Sequence, residues 1–182
     1  RTMAYDLLAM VCDDAVVRGA EPVLVGSILD VSSLGPKDNP YLEEVRQLAE
    51  GYINSARAAD VAIVNGEVAE LGARINGKGN RIKYNWGAGV VWFANEKRLF
   101  TGMEIKPGDS LVGFHEKGFR SNGISLVRKI MESVHGNDWY SLPWGIGVET
   151  FGDKILTPSQ IYCKAVVDMF GGWDLERKPK AE

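Results

Sequence analysis

The sequence contains few of the residues that mark disulfide-rich, metal-binding or membrane proteins. It has two cysteines and two histidines in 182 residues, and neither type occurs at the spacing of a metal site. Cys12 and Cys163 lie in apolar helical patterns, which favours free buried thiols in a reducing cytoplasm. No apolar run approaches the roughly 18 residues that a membrane span needs, and no signal peptide is visible. These shortages argue against a zinc module, a disulfide scaffold and a membrane protein.

An excess of charge of one sign is also missing. The formal net charge is −3, from 21 basic and 24 acidic residues, and the basic residues are scattered, so we expect no nucleic-acid partner. What is present is an ordinary share of apolar residues, 45%, and of charged residues, 25%, which is typical of a globular protein. Because the first residues already have a helical pattern, we expect the chain to begin inside a longer protein.

Local patterns predict both helices and strands. The predicted helices cover 3–18, which ends at Gly19, and the segment after Asn39 and Pro40, which has apolar residues on one face from Leu42 to Ala56. A third predicted helix has Val127, Ile130, Met131 and Val134 on one face, and a fourth covers 158–170. The predicted strands cover 23–31, 61–64, 84–94 and 110–114, with a bulge or close backbone approach at Gly87 and Gly89. The segment 74–81 is interpreted as a mobile loop, 136–153 as a long ordered loop and 176–182 as a frayed tail. This mixture indicates an α/β or α+β domain.

Asp14 is the first candidate for chemistry. At 100° per residue it falls on the apolar stripe of the first helix, which comprises Met3, Leu7, Met10 and Val17. A carboxylate buried there needs a partner or a cation, because burial of an unpaired charge is costly. Two interpretations remain open: a buried salt bridge or backbone hydrogen bond, and a metal or nucleotide contact. The adjacent Asp13 points off the stripe and is predicted to be solvated.

A second acidic pair follows the predicted strand 61–64. Strands that run into a glycine, here Gly66, often lead into active-site loops in α/β folds. If the segment turns helically, Glu67 and Glu70 point the same way and offer two oxygen ligands suited to Mg²⁺. Alternatively, they are exposed glutamates in the first turn of a short helix, where the helix dipole favours acids.

The turn 118–123 leads from a predicted strand into a helix. Ser121 or Asn122 is predicted to cap that helix, and the free backbone N–H groups there favour an anion such as phosphate. Arg120 would add a planar fork of donors. The alternative is an ordinary capped helix with a surface arginine. The turn is neither a Walker loop nor a dinucleotide fingerprint, because GKS, GKT and a strand-linked GxGxxG are missing.

Four motifs occur in order along the chain: DLLAM…DD…GAEP within 6–22, NGEVAEL at 65–71, GDSLVGF…RSNGISLVRK at 108–129 and LTPSQIYCK at 156–164. In this order they resemble DLVAM…ND…GAEP, GGETAEM, GDVLIGL…HSNGYSLVRK and LTPTRIYVK of the aminoimidazole ribonucleotide (AIR) synthetase family. The chain is therefore identified as a member of the superfamily that also includes formylglycinamidine ribonucleotide (FGAM) synthetase, selenophosphate synthetase and thiamine-monophosphate kinase.

The resemblance implies a fold and a reaction. The expected fold is a PurM-like N-terminal domain over 1–115, with a mixed sheet and flanking helices, followed by the start of a C-terminal domain over 116–182. The family closes FGAM to AIR in purine biosynthesis with ATP and Mg²⁺, and ATP activates the formyl oxygen as a phosphate. Two subunits pair through the sheet of the N-terminal domain, which implies a homodimer. The alternative is a non-catalytic dimeric nucleotide-binding or regulatory module with the same fold.

The resemblance also implies site residues. The expected metal ligands are Asp14, Glu67 and Glu70. The expected nucleotide contacts are these three together with Asp13, Gly66 and Gly123. The expected catalytic residues at the cleft are Arg120, Ser121 and Asn122.

Several positions depart from the family pattern. Arg120 stands where the family has His, and an arginine cannot act as an acid–base group near pH 7. Asp13 replaces an Asn, Gln160 replaces an Arg, and Asn65 replaces the first Gly of GGE. The family's upstream DGVGTK motif and its downstream glycine-rich segment do not occur in these 182 residues. We therefore expect this chain to be a fragment of the full enzyme.

Overall fold

The structure, a computed structural model, describes residues 2–181. In chain order its main elements are α1 (Met3–Val16), β1 (Ala20–Val31), α2 (Leu42–Ala59), β2 (Ala62–Glu70), β3 (Tyr84–Ala94), α3 (Ile124–His135), α4 (Phe151–Ile155) and α5 (Cys163–Phe170). Short 3-10 turns occupy Gly72–Arg74, Glu96–Arg98 and Trp139–Ser141. This is the mixed α+β architecture that the sequence predicts.

β1 is the central strand of a three-stranded sheet with the order β2-β1-β3. β2 runs parallel to β1, and β3 runs antiparallel to it. Side chains alternate along a strand, and one face of β1 places Val25, Ser27 and Leu29 in the interior. The opposite face carries Gly26 and Ile28, and Ile28 is 51% exposed. The sheet is therefore covered on one side and open on the other.

Three helices, α1, α2 and α5, cover the buried face. They share one cluster of buried side chains with β1: Ala4, Leu8, Cys12, Val16, Val25, Tyr52, Ala56, Ala59, Cys163 and Val167. Cys12 and Cys163 lie in it as free thiols, which confirms the prediction for both. A hydrogen bond with Cys163, together with burial, raises the pKa of Cys12. The Cys12 thiol is therefore protonated and unreactive at neutral pH.

The strands agree with the sequence pattern in part. The predicted strand 84–94 is confirmed as β3, but its glycines pair regularly with β1. The register shifts lie in β1 instead, between Pro22 and Leu24 opposite β3 and between Val25 and Gly26 opposite β2. The predicted short buried strand 61–64 is wrong in burial, because β2 is an exposed edge strand that continues to Glu70. The predicted strand 110–114 is also wrong: the segment has no regular structure, and Leu111 is fully exposed. A strand needs a partner for its backbone, and a local apolar pattern does not supply one.

The C-terminal part is more ordered than its composition indicates. α5 begins at Cys163 rather than near 158, and the ordered loop 136–153 leads into the short α4. The tail is not frayed at its last described residues, since the amide of Ala181 donates to Met169 O at 3.1 Å. Arg98 also holds the tail, donating to the carbonyl oxygens of Gly171, Gly172, Asp174, Leu175 and Arg177.

Candidate active site

The burial of the two adjacent aspartates of α1 is the reverse of the prediction. Asp14 is exposed, whereas the Asp13 side chain is only 16% exposed. Both carboxylate oxygens of Asp13 accept hydrogen bonds. The stripe that was used for the prediction is wrong, because Met10 and Val17 are 40% and 65% exposed. The helix instead buries a different face made mostly of small side chains, which comprises Ala4, Leu8, Ala9, Cys12, Ala15 and Val16. Small residues let the helix backbone approach the sheet closely, so side-chain size is a poor guide to its buried face.

Asp13 caps the N-terminus of α5. Its Oδ1 accepts hydrogen bonds from the amides of Tyr162 and Cys163, both at 2.9 Å. Tyr162 is the N-cap position of α5, and its own side chain does not cap the helix. A carboxylate from α1 therefore satisfies two backbone donors that the first turn leaves unpaired. The predicted nucleotide contact of Asp13 stays a prediction, but its described contacts are structural.

Arg120 binds the other oxygen of Asp13. Its guanidinium donates to Asp13 Oδ2 at 2.8 Å, to Glu116 Oε2 at 2.9 Å and to the Gln160 carbonyl at 2.9 Å. It also lies over the Tyr162 ring, 5.4 Å from the centroid. Burial acts to raise the pKa of Glu116, but the hydrogen bonds from Arg120 and two backbone amides outweigh it and lower that pKa. Arg120 is therefore an ion-paired link between three segments rather than the surface arginine of the alternative interpretation, and its catalytic role stays a prediction.

A further carboxylate on the same face of α1, Asp6, lacked any site role in the sequence analysis. Ser159 Oγ donates to Asp6 Oδ1 at 2.7 Å, so a second contact ties α1 to the segment before α5. Burial raises the pKa of Asp6, and the Ser159 hydrogen bonds compensate only in part. The spacing of seven between Asp6 and Asp13, two helical turns, is the signal that could have indicated a shared polar face.

A small cavity of about 60 Å³ lies where these segments meet. It is lined by Asp6, Ala9, Met10, Asp13, Asp14, Arg120, Ser121, Asn122 and Ser159. Within residues 2–181, the side chains of Asp14, Ser121 and Asn122 have no hydrogen-bond partner and remain free for a ligand. Five of the predicted site residues, Asp13, Asp14, Arg120, Ser121 and Asn122, are thus brought together.

The predicted helix cap beside this cavity is wrong. α3 has Gly123 at its N-cap position, with φ of +83°, and neither Ser121 nor Asn122 caps it. Because both polar side chains are released from capping, they can line the cavity instead. Gly123 itself has open space where a Cβ would stand, and its predicted nucleotide contact stays a prediction.

The remaining predicted residues lie elsewhere. Gly66, Glu67 and Glu70 belong to β2, so the helical turn that was expected to align the two glutamates is wrong. In a strand, residues three apart point to opposite faces. Asp14 lies near β3 on the other side of β1, where it borders Val90 and Trp92. In the described part of the chain, no three acidic, histidine or cysteine side chains are placed to hold a metal ion.

Comparisons with known proteins agree with the motif pattern. The family model "AIR synthase related protein, N-terminal domain" matches residues 1–91. The phosphoribosylformylglycinamidine cyclo-ligase of Symbiobacterium thermophilum is 34% identical over 176 residues, 96% of this chain and 47% of that protein. The enzyme of the same name from Methanocaldococcus jannaschii is 32% identical over 179 residues, 97% of this chain and 47% of that protein. The chain belongs to the AIR synthetase family.

This member of the AIR synthetase family spans about half the length of the curated relatives it matches. A chain of the HypE–HypF complex has a TM-score of 0.36 and 23% identity over 49% of this chain and 27% of its own length, a likeness too weak to carry an argument. Between residues 2 and 181, the helices are too short or too polar to cross a membrane. The division into domains at residues 115 and 116 stays a prediction.

Proposed function

We propose that this chain is part of an ATP-dependent ligase that closes FGAM to AIR in purine biosynthesis. One observation carries the proposal: residues of three family motifs, up to 153 positions apart in the chain, meet at the cavity bordered by Asp6, Asn122 and Ser159. The names of the relatives support the same reaction. Because the chain spans about half of those relatives, the other half would supply the rest of the binding surface.

The cavity suits one end of the substrate. Asp6, Asp13, Asp14 and nearby Glu116 outnumber the single cation Arg120, so the surroundings favour a hydrogen-bond donor over an anion. The amidine of FGAM is such a donor, whereas its phosphate is an anion. At about 60 Å³, the cavity is far smaller than the 300–1,000 Å³ of a typical whole-ligand pocket. We infer that it holds the reacting amidine end of the substrate, with Asp14 as an acceptor.

ATP and Mg²⁺ belong to the proposal as the source of the activating phosphate. Asp14, Glu67 and Glu70 do not fit one Mg²⁺ within this chain, because β1 separates Asp14 from the strand that carries the glutamates. An ion held by these three residues therefore has no part in the proposed reaction. Magnesium is proposed only as the companion of ATP, and ATP as the second substrate, in a cytoplasmic protein whose thiols are free.

The test is release of ADP from ATP that depends on FGAM, in the presence of Mg²⁺. Asp14→Asn is expected to lower the rate by about 10- to 1,000-fold, as for loss of a polar group aimed at the reacting centre, while leaving the fold intact because Asp14 is exposed. Asp38→Asn, an exposed aspartate in the loop before α2, is the matched control and should retain the rate. The assay uses the complete protein, with both halves present, and its failure to form FGAM-dependent ADP when folded would contradict the proposal.

A second candidate is a non-catalytic, dimeric nucleotide-binding or regulatory module. The observation that favours it is Arg120, which stands where the family has a histidine and is occupied by two carboxylates. ATP binding without FGAM-dependent turnover would support this alternative over the ligase.

We further propose that two copies pair through the open face of the sheet, as the family resemblance implies. This face carries a shallow depression of about 400 Å³ that is bordered by Gly26, Ile28, Asn65, Gly87 and Gly89. A Cβ at Gly87 or Gly89 would meet no atom of this chain. Apolar side chains beside bare glycine backbone make a surface that a second sheet can approach closely.

Sedimentation of Ile28→Lys tests the proposed pairing. A charge placed at the centre of the face should convert a dimer into a monomer, because burying an unpaired lysine is costly. Ile53→Lys, at a position of similar exposure on α2, should leave the dimer unchanged. A dimer that survives Ile28→Lys, or a wild-type monomer, would refute pairing through this face.

A further inference from the structure

The guanidinium of Arg98 is surrounded by backbone carbonyl oxygens. Its Nη1 donates to three of them and its Nη2 to two, at distances from 2.7 to 3.4 Å, and the acceptors belong to Gly171, Gly172, Asp174, Leu175 and Arg177. An arginine presents its N–H donors in a fixed plane, so one side chain can serve both groups of carbonyls at once. All the acceptors come from the short segment 171–177, which therefore curls around a single cation.

The segment 171–177 has the backbone that admits this cation. Gly171 and Gly172 both lie in the left-handed region, with φ of +87° and +66°, where other residues are strained. A Cβ at Gly171 would stand 2.7 Å from Arg98 Nη1, so a side chain there would displace the guanidinium. In the described part of the chain, only the Asp174 carbonyl of this set has a second donor, the Arg177 amide. The other carbonyl oxygens of the set depend on Arg98.

The converging carbonyls need a cation at their centre. Each carbonyl oxygen carries partial negative charge, so several that point at one spot repel one another unless a positive group lies between them. The residues Gly171 and Gly172 are buried, and a buried carbonyl without a hydrogen bond costs free energy. Removal of the guanidinium would therefore force the 171–177 segment to unwind and turn these oxygens toward water.

The path of this segment also sets its contacts with the sheet. Trp173 lies against Phe93 of β3, with the ring centroids 5.8 Å apart. Arg177 Nη1 donates to Glu21 Oε1 of β1 at 2.8 Å. Arg98 itself belongs to the 3-10 turn that follows β3. The segment after α5 is thus fastened to the ends of two strands, with Arg98 at the centre of the contact.

We propose that residues 171–177 form a guanidinium-binding site whose occupant is the Arg98 side chain, and that this site closes the segment 171–181, the strap, over α5, β1 and β3. The site selects a planar cation with several donors, because an ammonium group reaches only one of the two groups of carbonyls. Asp13 holds the first turn of α5 independently. The strap can therefore open at the far end of α5 without disturbing the cavity beside its start.

Amide hydrogen exchange of the complete protein tests this site. In Arg98→Ala, the amides of Lys180 and Ala181, which bond the strap to α5, should exchange roughly 10- to 100-fold faster, the range for loss of a hydrogen bond to a charged group. The amides of Tyr162 and Cys163, which Asp13 holds, should exchange as in wild type. The selective acceleration distinguishes an opened strap from a general loss of stability.

Free guanidinium should refill the vacated site. At about 50 mM, far below the molar concentrations that unfold proteins, guanidinium chloride should slow exchange of the strap amides in Arg98→Ala by roughly twofold or more. Sodium chloride at the same concentration should not, because it lacks the donors and screens the ion pairs of the strap. Lys97→Ala removes an exposed cation from the same turn; as the matched control it should exchange like wild type.

Wild-type exchange of the strap amides in Arg98→Ala would overturn the proposal, as would equal effects of the two salts. If Arg98→Ala does not fold, Arg98→Lys keeps the charge but loses the planar fork, and the strap amides should again accelerate more than those of Tyr162 and Cys163. Uniform acceleration, or none, would likewise overturn the proposal. These measurements need neither ATP nor FGAM, so their outcome is independent of the ligase proposal.

Discussion

Helices α1 and α3 both carry apolar residues at helical spacing, but one is packed into the interior and the other is not. α1 buries Ala4, Leu8 and Cys12 against the sheet and α2. α3 buries no residue in the described chain, and its apolar positions Leu126, Ile130 and Val134 are 61%, 51% and 66% exposed. Apolar spacing thus predicts that a helix forms. It does not say which face is buried, or whether the surface that covers that face lies within the same stretch of chain.

The same contrast in side-chain burial separates two larger parts of the chain. Residues 3–98 and 156–172 supply nearly all of the buried side chains, whereas the segment between them supplies Trp139. Exposed apolar residues are concentrated in that middle segment, for example Met103, Ile146 and Val148. Truncation of apolar side chains within 3–98 and 156–172 is therefore expected to lower the free energy of unfolding. The same change in the segment between these ranges should hardly alter it.

The largest contrast is expected from truncating one apolar side chain in each helix. Leu8→Ala, at a fully buried position, should lower the free energy of unfolding by about 2–5 kcal/mol because it leaves a cavity. Ile130→Ala should change it by no more than about 0.5 kcal/mol, as for surface positions. Urea denaturation of both variants measures the difference, and equal losses would show that α3 is as tightly packed as α1.

A pair of helix-terminal glycines sharpens the comparison. Gly19 and Gly136 follow α1 and α3 with the same φ of +78°, so alanine at either position should cost about 1–3 kcal/mol of backbone strain. A Cβ at Gly19 would also overlap the Arg98 carbonyl, whereas one at Gly136 meets nothing within 4 Å. Gly19→Ala should therefore lose an additional 1–3 kcal/mol or so from overpacking. Thermal denaturation of the two variants that gave equal losses would contradict this account.

The smallest expected effect is a difference in pH dependence between two aspartates. Burial raises the pKa of Asp6, so its contribution to stability is complete below the unfolded pKa of about 3.9 and is lost as pH rises through the folded pKa. Hydrogen bonds from Thr150 lower the pKa of Asp153 in α4. Its contribution is present above the unfolded value and is lost as pH falls through the folded pKa.

Asparagine variants of Asp6 and Asp153 distinguish the two opposite pH dependences of stability. Between about pH 3 and pH 7, a span that contains the reference aspartate pKa, the stability of Asp6→Asn relative to wild type should improve as pH rises. That of Asp153→Asn should worsen over the same span. Denaturation midpoints at several pH values give both slopes, and a shared sign would contradict the burial of Asp6.

Much of the candidate site could be predicted from sequence once the motifs were recognised. The residues Asp14, Ser121 and Asn122 do lie together at one cavity, although the spacing along each helix gave no reason to join them. The helix pattern misassigned Asp13 and Asp14 because it gave weight to large apolar residues, while α1 buries small ones. Asp6, Glu116 and Ser159 were missed because each gains its importance from a partner distant in the chain.

The sequence alone determined the local features: the helices α1, α2 and α3, the strand β3 and the family motifs all follow from short-range patterns of residues. Only the tertiary structure decided which side of each element is covered, because burial depends on segments that pack from far along the chain. It also decided that Asp13, Arg120 and Gln160 are neighbours. Contacts over 40 to 107 residues leave no periodic trace in a single sequence, since they require the chain to fold before the partners meet.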